Sequence, residues 1–442
     1  MSVPSIVRAR TALPGLAATL ALCACAGGGD AGTGDGPAGL DGPDYTIEPR
    51  VEHVYTVGAL EGESWETFGR VSRVAFDADG NLYILDSGAG HVVVIDPAGE
   101  YVRTIGRHGD GPGELGNPFG FVIDADGRVL VYDFAKQGFQ IFTREGEFVE
   151  SVSFDPQEGI PGQEIYATPS GDVVSGGGFR IRLSADGGIE EPPPGRPIDR
   201  FGLDGSHEIV YTAWDLPTTQ GTDEASFSTG GGNVSLRIQR LRAFEPGLHL
   251  GVLADGRLAV ADSIGYRVKL VDPAGAVSGT VERPISPIPV DDEIRELERA
   301  RRLAAFEEGG SGGGTTMMMV GRSSGGGGRS LSVDQKQIRK MREDQIRGMT
   351  FASEIPVIAD MAVDRESRLW IERYGAGPGL DGPIDIVTPD GEYVGSIPAT
   401  GLRIPDAFGP GGLIAFIEED ELEVQRVRVA RLPEIEALES GS

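Results

Sequence analysis

Five histidines, two cysteines and a set of aspartates in repeated positions are the residues whose chemistry bears weighing first. His53, His91, His108, His207 and His249 are scattered, and no two stand at the short spacing with which one element presents two metal ligands. No metal or cofactor is therefore expected. His108 lies in a glycine-rich stretch with Arg107, Asp110 and Glu114 beside it. A cation, an imidazole and two carboxylates on one loop are groups that bind a polar ligand. Asp77 to Asn81 opens like a calcium loop but lacks the closing glutamate, and a tight turn accounts for it. Asp86, Asp133 and Asp262 each end an apolar run, where an aspartate typically accepts backbone N–H groups of a neighbouring loop. No Walker loop is present to cradle phosphate.

Both cysteines sit at the end of one N-terminal pattern. Arg8 and Arg10 precede an apolar stretch from Leu13 to Leu22, too short to span a bilayer. Leu22-Cys23-Ala24-Cys25 follows, with a small residue before Cys25 and an aliphatic residue three before it. This resembles the lipobox of bacterial lipoproteins. The resemblance implies a signal peptide over 1–24, a lipid on Cys25, export, and anchoring to the cell envelope on its periplasmic or surface side. Residues 25–50 read as a flexible tether. Between Ala26 and Asp44, eight of 19 residues are Gly and four are Asp, too polar to bury a core.

Those residues need elements to position them. The chain has 442 residues, 39% of them hydrophobic, which is enough for a core. Its 39 basic and 68 acidic residues give a net charge of −29, and such a surface repels phosphate backbones, so no nucleic acid is expected as partner. Glycine supplies 68 residues, about twice its usual ~7% share, much of it in Asp-Gly and Ala-Gly pairs. Val74–Asp86, Phe121–Asp133 and Leu250–Asp262 each read as strand, Asp-Gly turn, strand and closing Asp. A fourth copy, Met361–Ile371, carries Glu366-Ser367 where the Asp-Gly pair should stand. A second hairpin follows each copy, turning at Gly99, Gly146, Gly275 and Gly391. Gly80 to Gly127 and Gly99 to Gly146 are each 47 residues, and four strands repeating in the forties are the signature of a propeller blade. A degraded copy over Glu164–Ile189, turning at Ser170-Gly171 and Asp186-Gly187, and a last copy over Leu402–Leu432 bring the count to six. Glu52–Gly58 matches Glu100–Gly106, the fourth strand of the first copy, so the N-terminal strand is expected to complete the last blade and close the ring.

With Gly106–Leu115 as an inter-blade loop and Arg368–Tyr374 and Asp381–Gly391 as a fifth blade, the chain resembles the NHL-repeat-like six-bladed β-propellers of bacterial lipoproteins. The resemblance implies an all-β fold of four-stranded antiparallel blades over 51–434, followed by a disordered tail at 435–442. That fold hosts scaffolds, lyases and lactonases alike. Some relatives are lyases with a histidine-bound zinc in the channel, but nothing in this sequence matches such a motif.

In such blades the short turns lie on one face, and the long loops, with Arg107, His108, Asp110, Glu114, Arg373 and Tyr374, lie on the upper one. The longest excursion, 284–356, changes character. Asp291–Glu308 and a stretch from Ser332 to about Met349 read as helices, separated by a Gly/Ser-rich loop over Gly309–Ser330. Residues 291–350 hold 11 basic and 10 acidic residues, so this insertion lacks the acidity of the ring. It is expected to be a mobile lid, with Arg299, Arg302, Lys336 and Arg339 resting on acidic rim residues. The resulting expectation is a monomeric, lipid-anchored binding module that engages a protein, peptide or glycan through its upper face and channel. The alternative is a metal-dependent lyase or lactonase-like enzyme with its site in the channel.

Overall fold

A computed structural model describes residues 39–162, 164–178, 195–216, 241–307 and 339–433, and the backbone alone of 222–229, 232–239 and 335–338. The expected signal peptide, Cys25, the Gly309–Ser330 loop, the Ser332 cap and the 435–442 tail lie outside the described residues.

In three of the copies an Asp-Gly pair dictates the turn between the first two strands. Asp77 Oδ1 accepts the N–H groups of Asp79 and Asn81, both at 2.9 Å, and Gly80 takes φ +84°, which a Cβ would strain. Asp124 repeats the arrangement with Asp126 and Arg128. The fourth copy keeps the turn without its glycine: Ser367 itself adopts φ +65°. Its hydroxyl accepts the Ala254 N–H from the neighbouring blade at 2.9 Å, a contact glycine could not make.

Six four-stranded antiparallel sheets result. Blade one runs through Val71–Phe76, Leu82–Asp86, His91–Ile95 and Tyr101–Ile105. Blade two is Pro118–Ile123, Val129–Asp133, Gly138–Phe142 and Phe148–Ser153. Blade three is Ile165–Ala167, Val173–Gly176, Arg196–Phe201 and His207–Ala213. Blade four is His249–Val252, Leu258–Ala261, Arg267–Val271 and Val277–Glu282. Blade five is Ile358–Val363, Leu369–Tyr374, Asp381–Val387 and Tyr393–Ile397. Blade six takes Ala407–Phe408, Leu413–Glu419 and Gln425–Arg431 from the C-terminal region, and Glu52–Val57 as its outer strand. That strand pairs antiparallel from Glu52↔Arg431 to Val57↔Val427 and closes the ring as expected.

The core lies between blades. On the second strand of blade one, Leu82 and Ile84 pack toward blade six, while Tyr83 and Leu85 pack toward blade two. Both faces are buried, so the strand reads as a continuous apolar run. Apolar clusters of this kind separate every pair of successive blades, including the sixth from the first. Asp86 and Asp133 tie these layers to the loops. Asp86 accepts Gly69 and Arg70 N–H ahead of its own blade, and Gly88 and Ala89 N–H after it. Asp133 does the same with Gly116, Asn117 and Ala135. In blade four Asp262 accepts Trp214 N–H, and Lys269 Nζ takes a further place at 2.7 Å.

Blade three departs from expectation. Its outer hairpin is Arg196–Phe201 and His207–Ala213, turning where Asp204 accepts Ser206 N–H and Gly205 has φ +85°. Asp186-Gly187, read as that turn, falls in the undescribed stretch between its second and third strands. A further hairpin, Thr222–Thr229 with Gly232–Gln239, lies in the chain between blades three and four, outside the repeat.

The long insertion forms α1 (Asp292–Glu307) and α2 (Gln335–Arg347), close to the expected boundaries. Asp291 Oδ1 caps α1 by accepting Ile294 N–H at 2.9 Å. Of the four cations expected to rest on the rim, the Lys336 side chain lies outside the described residues, and the other three find partners within the insertion. Arg302 bonds Glu298 of its own helix at 2.6 Å, and Arg301 bonds the same carboxylate at 2.7 Å. Arg299 stacks on Phe351 and Arg339 on Phe306, so α2 is held to α1. The base of the insertion has a core of its own. Arg242–Ala243 pairs with Thr350–Phe351, Ile288–Pro289 pairs with Glu354–Ile355, and Ala243, Phe244, Val290, Met349, Ala352 and Ile355 are buried together. Ile294 of α1 and Ile346 of α2 pack against this cluster, as does Tyr374 of blade five.

Candidate functional site at the channel mouth

The first strands of the blades line the channel, and each begins at the upper face. The polar side chains at these upper ends come from five blades. Arg73, on the first strand of blade one, donates to Ile165 O of blade three at 2.9 Å, bypassing blade two. To do so it crosses the channel, with its guanidinium 5.3 Å from the centre of the Tyr166 ring. His249 opens the first strand of blade four, and its Nδ1 lies 3.2 Å from Asp360 Oδ1 on the first strand of blade five. Asp360 is half open to water, whereas the His249 side chain is only 16% exposed. Its Nε2 is buried without a partner among the described residues.

Glu372 stands opposite Asp360 in the pairing of the first two strands of blade five. Burial pushes its carboxyl up to about 7, the charges of Asp360 and Asp381 push in the same direction, and Arg403 and His249 oppose them. Arg403, at the entry to blade six, is itself held by Asp406 at 2.6 Å and by Ile417 O at 2.9 Å. Burial raises the Tyr166 hydroxyl far above its ordinary value, with the Glu164 charge adding to it, so Tyr166 stays a neutral hydrogen-bonding group. The mouth thus holds a carboxylate in water, a carboxyl that exchanges its proton near neutrality, a half-satisfied imidazole and two guanidiniums. Such a set can bind a polar ligand and exchange a proton with it. Among the described residues, no three of His, Cys, Asp and Glu are placed to hold one metal ion.

The six residues chosen from sequence stand in two separate places. Arg107, His108, Asp110 and Glu114 share the loop between blades one and two. There Arg107 Nε donates to Glu114 at 2.9 Å, and Glu114 also accepts Gly111 N–H at 2.8 Å. Lys136 Nζ donates to Gly111 O and Glu114 O, so much of this loop's polarity is spent on its own shape. His108 and Asp110 are exposed. Arg373 and Tyr374 end the second strand of blade five. Arg373 bonds Asp44 and lies 3.4 Å from Asp385, while Tyr374 packs against the base of the insertion.

Of the channel residues only His249 stands out in the sequence, and there it has no partner at metal-ligand spacing. The signal available was positional: polar residues at the upper ends of inner strands, where an apolar residue would pack better. Of the other histidines, His207 is buried on Asp199 at 2.9 Å inside blade three. His53 bonds Thr56, and burial pulls His91 down.

The sequence model of a family described as 6-bladed beta-propeller matches residues 56–160, which span blades one and two. Protein lin-41 of Caenorhabditis elegans is 42% identical over 48 residues, and the chain spans about 4% of the length of this curated relative. Among solved structures, a DUF4221-family protein from Bacteroides vulgatus is 10% identical, with a TM-score of 0.43, covering 87% of this chain and 98% of that one. Virginiamycin B lyase from Staphylococcus aureus is 12% identical, with a TM-score of 0.38, covering 86% and 98%. A gluconolactonase from Xanthomonas campestris is 12% identical, with a TM-score of 0.35, covering 90% and 99%. On its sheet order and the family match, the chain is a six-bladed β-propeller.

Proposed function

We propose that this propeller is a binding module that takes a small polar ligand, or the polar end of a peptide or glycan, at the upper mouth of its channel. One observation carries the reading: side chains from separate blades meet there, with Asp360 half open to water on the His249 imidazole and the Glu372 carboxyl pushed up beside it. The N-terminal pattern ending in Cys25 supports export and lipid anchoring to the cell envelope, and a protein, peptide or glycan of that compartment as partner. The net charge of −29 argues against nucleic acid. The enzyme reading, a lyase or lactonase, has one specific support: Glu372 is poised near neutrality, as a general acid or base must be.

A ligand panel read by thermal shift tests the proposal. Peptides, amines and oligosaccharides are to be screened against the wild type and against the Asp360→Ala and His249→Ala variants. The expected result is a ligand that raises the wild-type Tm, loses at least tenfold in affinity on either substitution, and is recovered unchanged. A ligand that binds both variants as well as the wild type would remove the channel mouth as the site. One recovered cleaved or isomerised by the wild type, but not by Glu372→Gln, would replace binding by catalysis.

A further inference from the structure

Residues 40–47, read from composition as part of a tether, lie along the outer edge of blade five. Thr46 pairs in parallel with Ser396, Ile47 N–H donates to Ser396 O at 2.9 Å, and Ser396 N–H donates to Tyr45 O at 2.8 Å. Tyr45 N–H reaches the Tyr393 hydroxyl at 3.1 Å. Gly395 makes room, since a Cβ there would stand 2.9 Å from Ile47 Cγ2 and 3.0 Å from Tyr45 O. Leu40 packs into the layer between blades four and five, and Ile47 into the layer between five and six.

The charges fit the same occupant. Asp385 is fully buried and lies 2.9 Å from Arg283, whose side chain is 2% exposed, and Arg373 stands beside both. Two guanidiniums against one carboxylate leave one positive charge over, in a place where an uncompensated charge is costly. Asp44 supplies the second carboxylate. It pairs with Arg373 and lies 3.0 Å from Arg283. Burial raises its carboxyl, but the two arginines outweigh that and hold it below its ordinary value. Arg283 also donates to Leu40 O and Gly42 O at 3.3 Å, so it reads the backbone of the segment as well as its charge.

We propose that the outer edge of blade five is a strand-addition site for a short acidic segment, and that the chain's own residues 40–47 occupy it, a turn over 39–42 leading into a short fifth strand at 45–47. The seat has an edge to pair with, a glycine gap for the approaching backbone and a paired-arginine receptor for one carboxylate.

Hydrogen exchange on the full chain tests this. In the wild type the Ile47 and Ser396 amides should be protected, because each donates to the other strand. Asp44→Asn should speed both at least tenfold while Leu82–Leu85 stay protected. A synthetic peptide of residues 39–48, added to that variant, should restore protection at Ser396, and the same peptide carrying Asp44→Asn should not. Unprotected Ile47 and Ser396 in the wild type would overturn the proposal, as would protection that Asp44→Asn leaves unchanged. Should Asp44→Asn unfold the blades, Gly395→Ala displaces the segment with one methyl group, and the same two amides decide.

Discussion

Glu372 and Asp385 are both acidic residues of blade five, and opposite surroundings give them opposite consequences. Glu372 is pushed up to about 7 from an ordinary 4.5, chiefly by burial. Its native form therefore binds more protons than its unfolded form between those values, and this costs stability as pH rises toward and past 7. Glu372→Gln should stabilise the protein at pH 8 by about 1 kcal/mol, discounted from the full linkage value because the carboxyl is partly exposed. The gain should fade below about pH 4 and be gone near pH 3, where the native and unfolded forms are both protonated. Urea unfolding at the two pH values checks it, and a gain of equal size at both would mean that Glu372 is not the titrating group. Asp385 has the reverse character, fully buried and facing two arginines. Asp385→Asn removes the charge that holds Arg283, so it should cost about 3 kcal/mol, in the range for breaking one side of a buried pair. A loss below about 1 kcal/mol in the same experiment would show that Asp44 alone balances the two arginines.

At the scale of elements, the insertion divides into a fixed base and helices with less to hold them. Its base shares buried Ala243, Val290 and Ile355 with strands on either side. Each helix adds one isoleucine to that cluster, Ile294 or Ile346. Within α1, Glu298 is 1% exposed; burial raises its carboxyl, but Arg301 and Arg302 hold it low. The insertion expected as a mobile lid thus has a packed root. Hydrogen exchange should rank blade strands slowest and the two helices intermediate. Replacing Ile294 and Ile346 together by Ala should speed exchange in both helices without changing Leu82–Leu85, because their packing is separate from the inter-blade layers. Helices that stay as protected as the blades would make the insertion part of the ring's cooperative unit. The blades were legible because one pattern recurs: an Asp that bonds its own turn, a glycine at positive φ, and apolar runs buried on both faces. The outer hairpin of blade three and the hairpin at 222–239 were not, since their spacing breaks the period, whereas the inner hairpin of blade three turns at Ser170-Gly171 as expected. The channel site was hidden for a related reason. Arg73, Tyr166, His249, Asp360, Glu372 and Arg403 are far apart in sequence, and only the circular arrangement of blades brings them to one mouth.

For the whole molecule, the question is what makes six sheets one ring. Each sheet is covered on both faces by its neighbours, so removing one contact between blades uncovers two apolar surfaces. The join between the ends of the chain is made in blade six, where Glu52–Val57 pairs with Gln425–Arg431. Val57 is buried there with Val427 and Val429, and Tyr55 and Phe68 pack against the same cluster. Gln425 also holds the entry to blade one, its Oε1 accepting Val71 N–H at 2.7 Å. Deleting the chain through Leu60 would remove the outer strand, the apolar cover it provides and the pairing partners of Arg428 and Arg431. The edge left behind is a long strand with an apolar face, the kind that recruits other chains. The acidic charge, net −29 over the chain, slows such recruitment but is screened at physiological salt. The truncated protein should therefore aggregate, and more so as salt is raised, while a chain shortened only through Asp44 stays monomeric with a lowered Tm. Light scattering across a salt series separates the two. If the protein lacking Glu52–Val57 remains monomeric and melts as cooperatively as the full chain, the five other inter-blade layers suffice, and the N-terminal strand covers the ring without closing it.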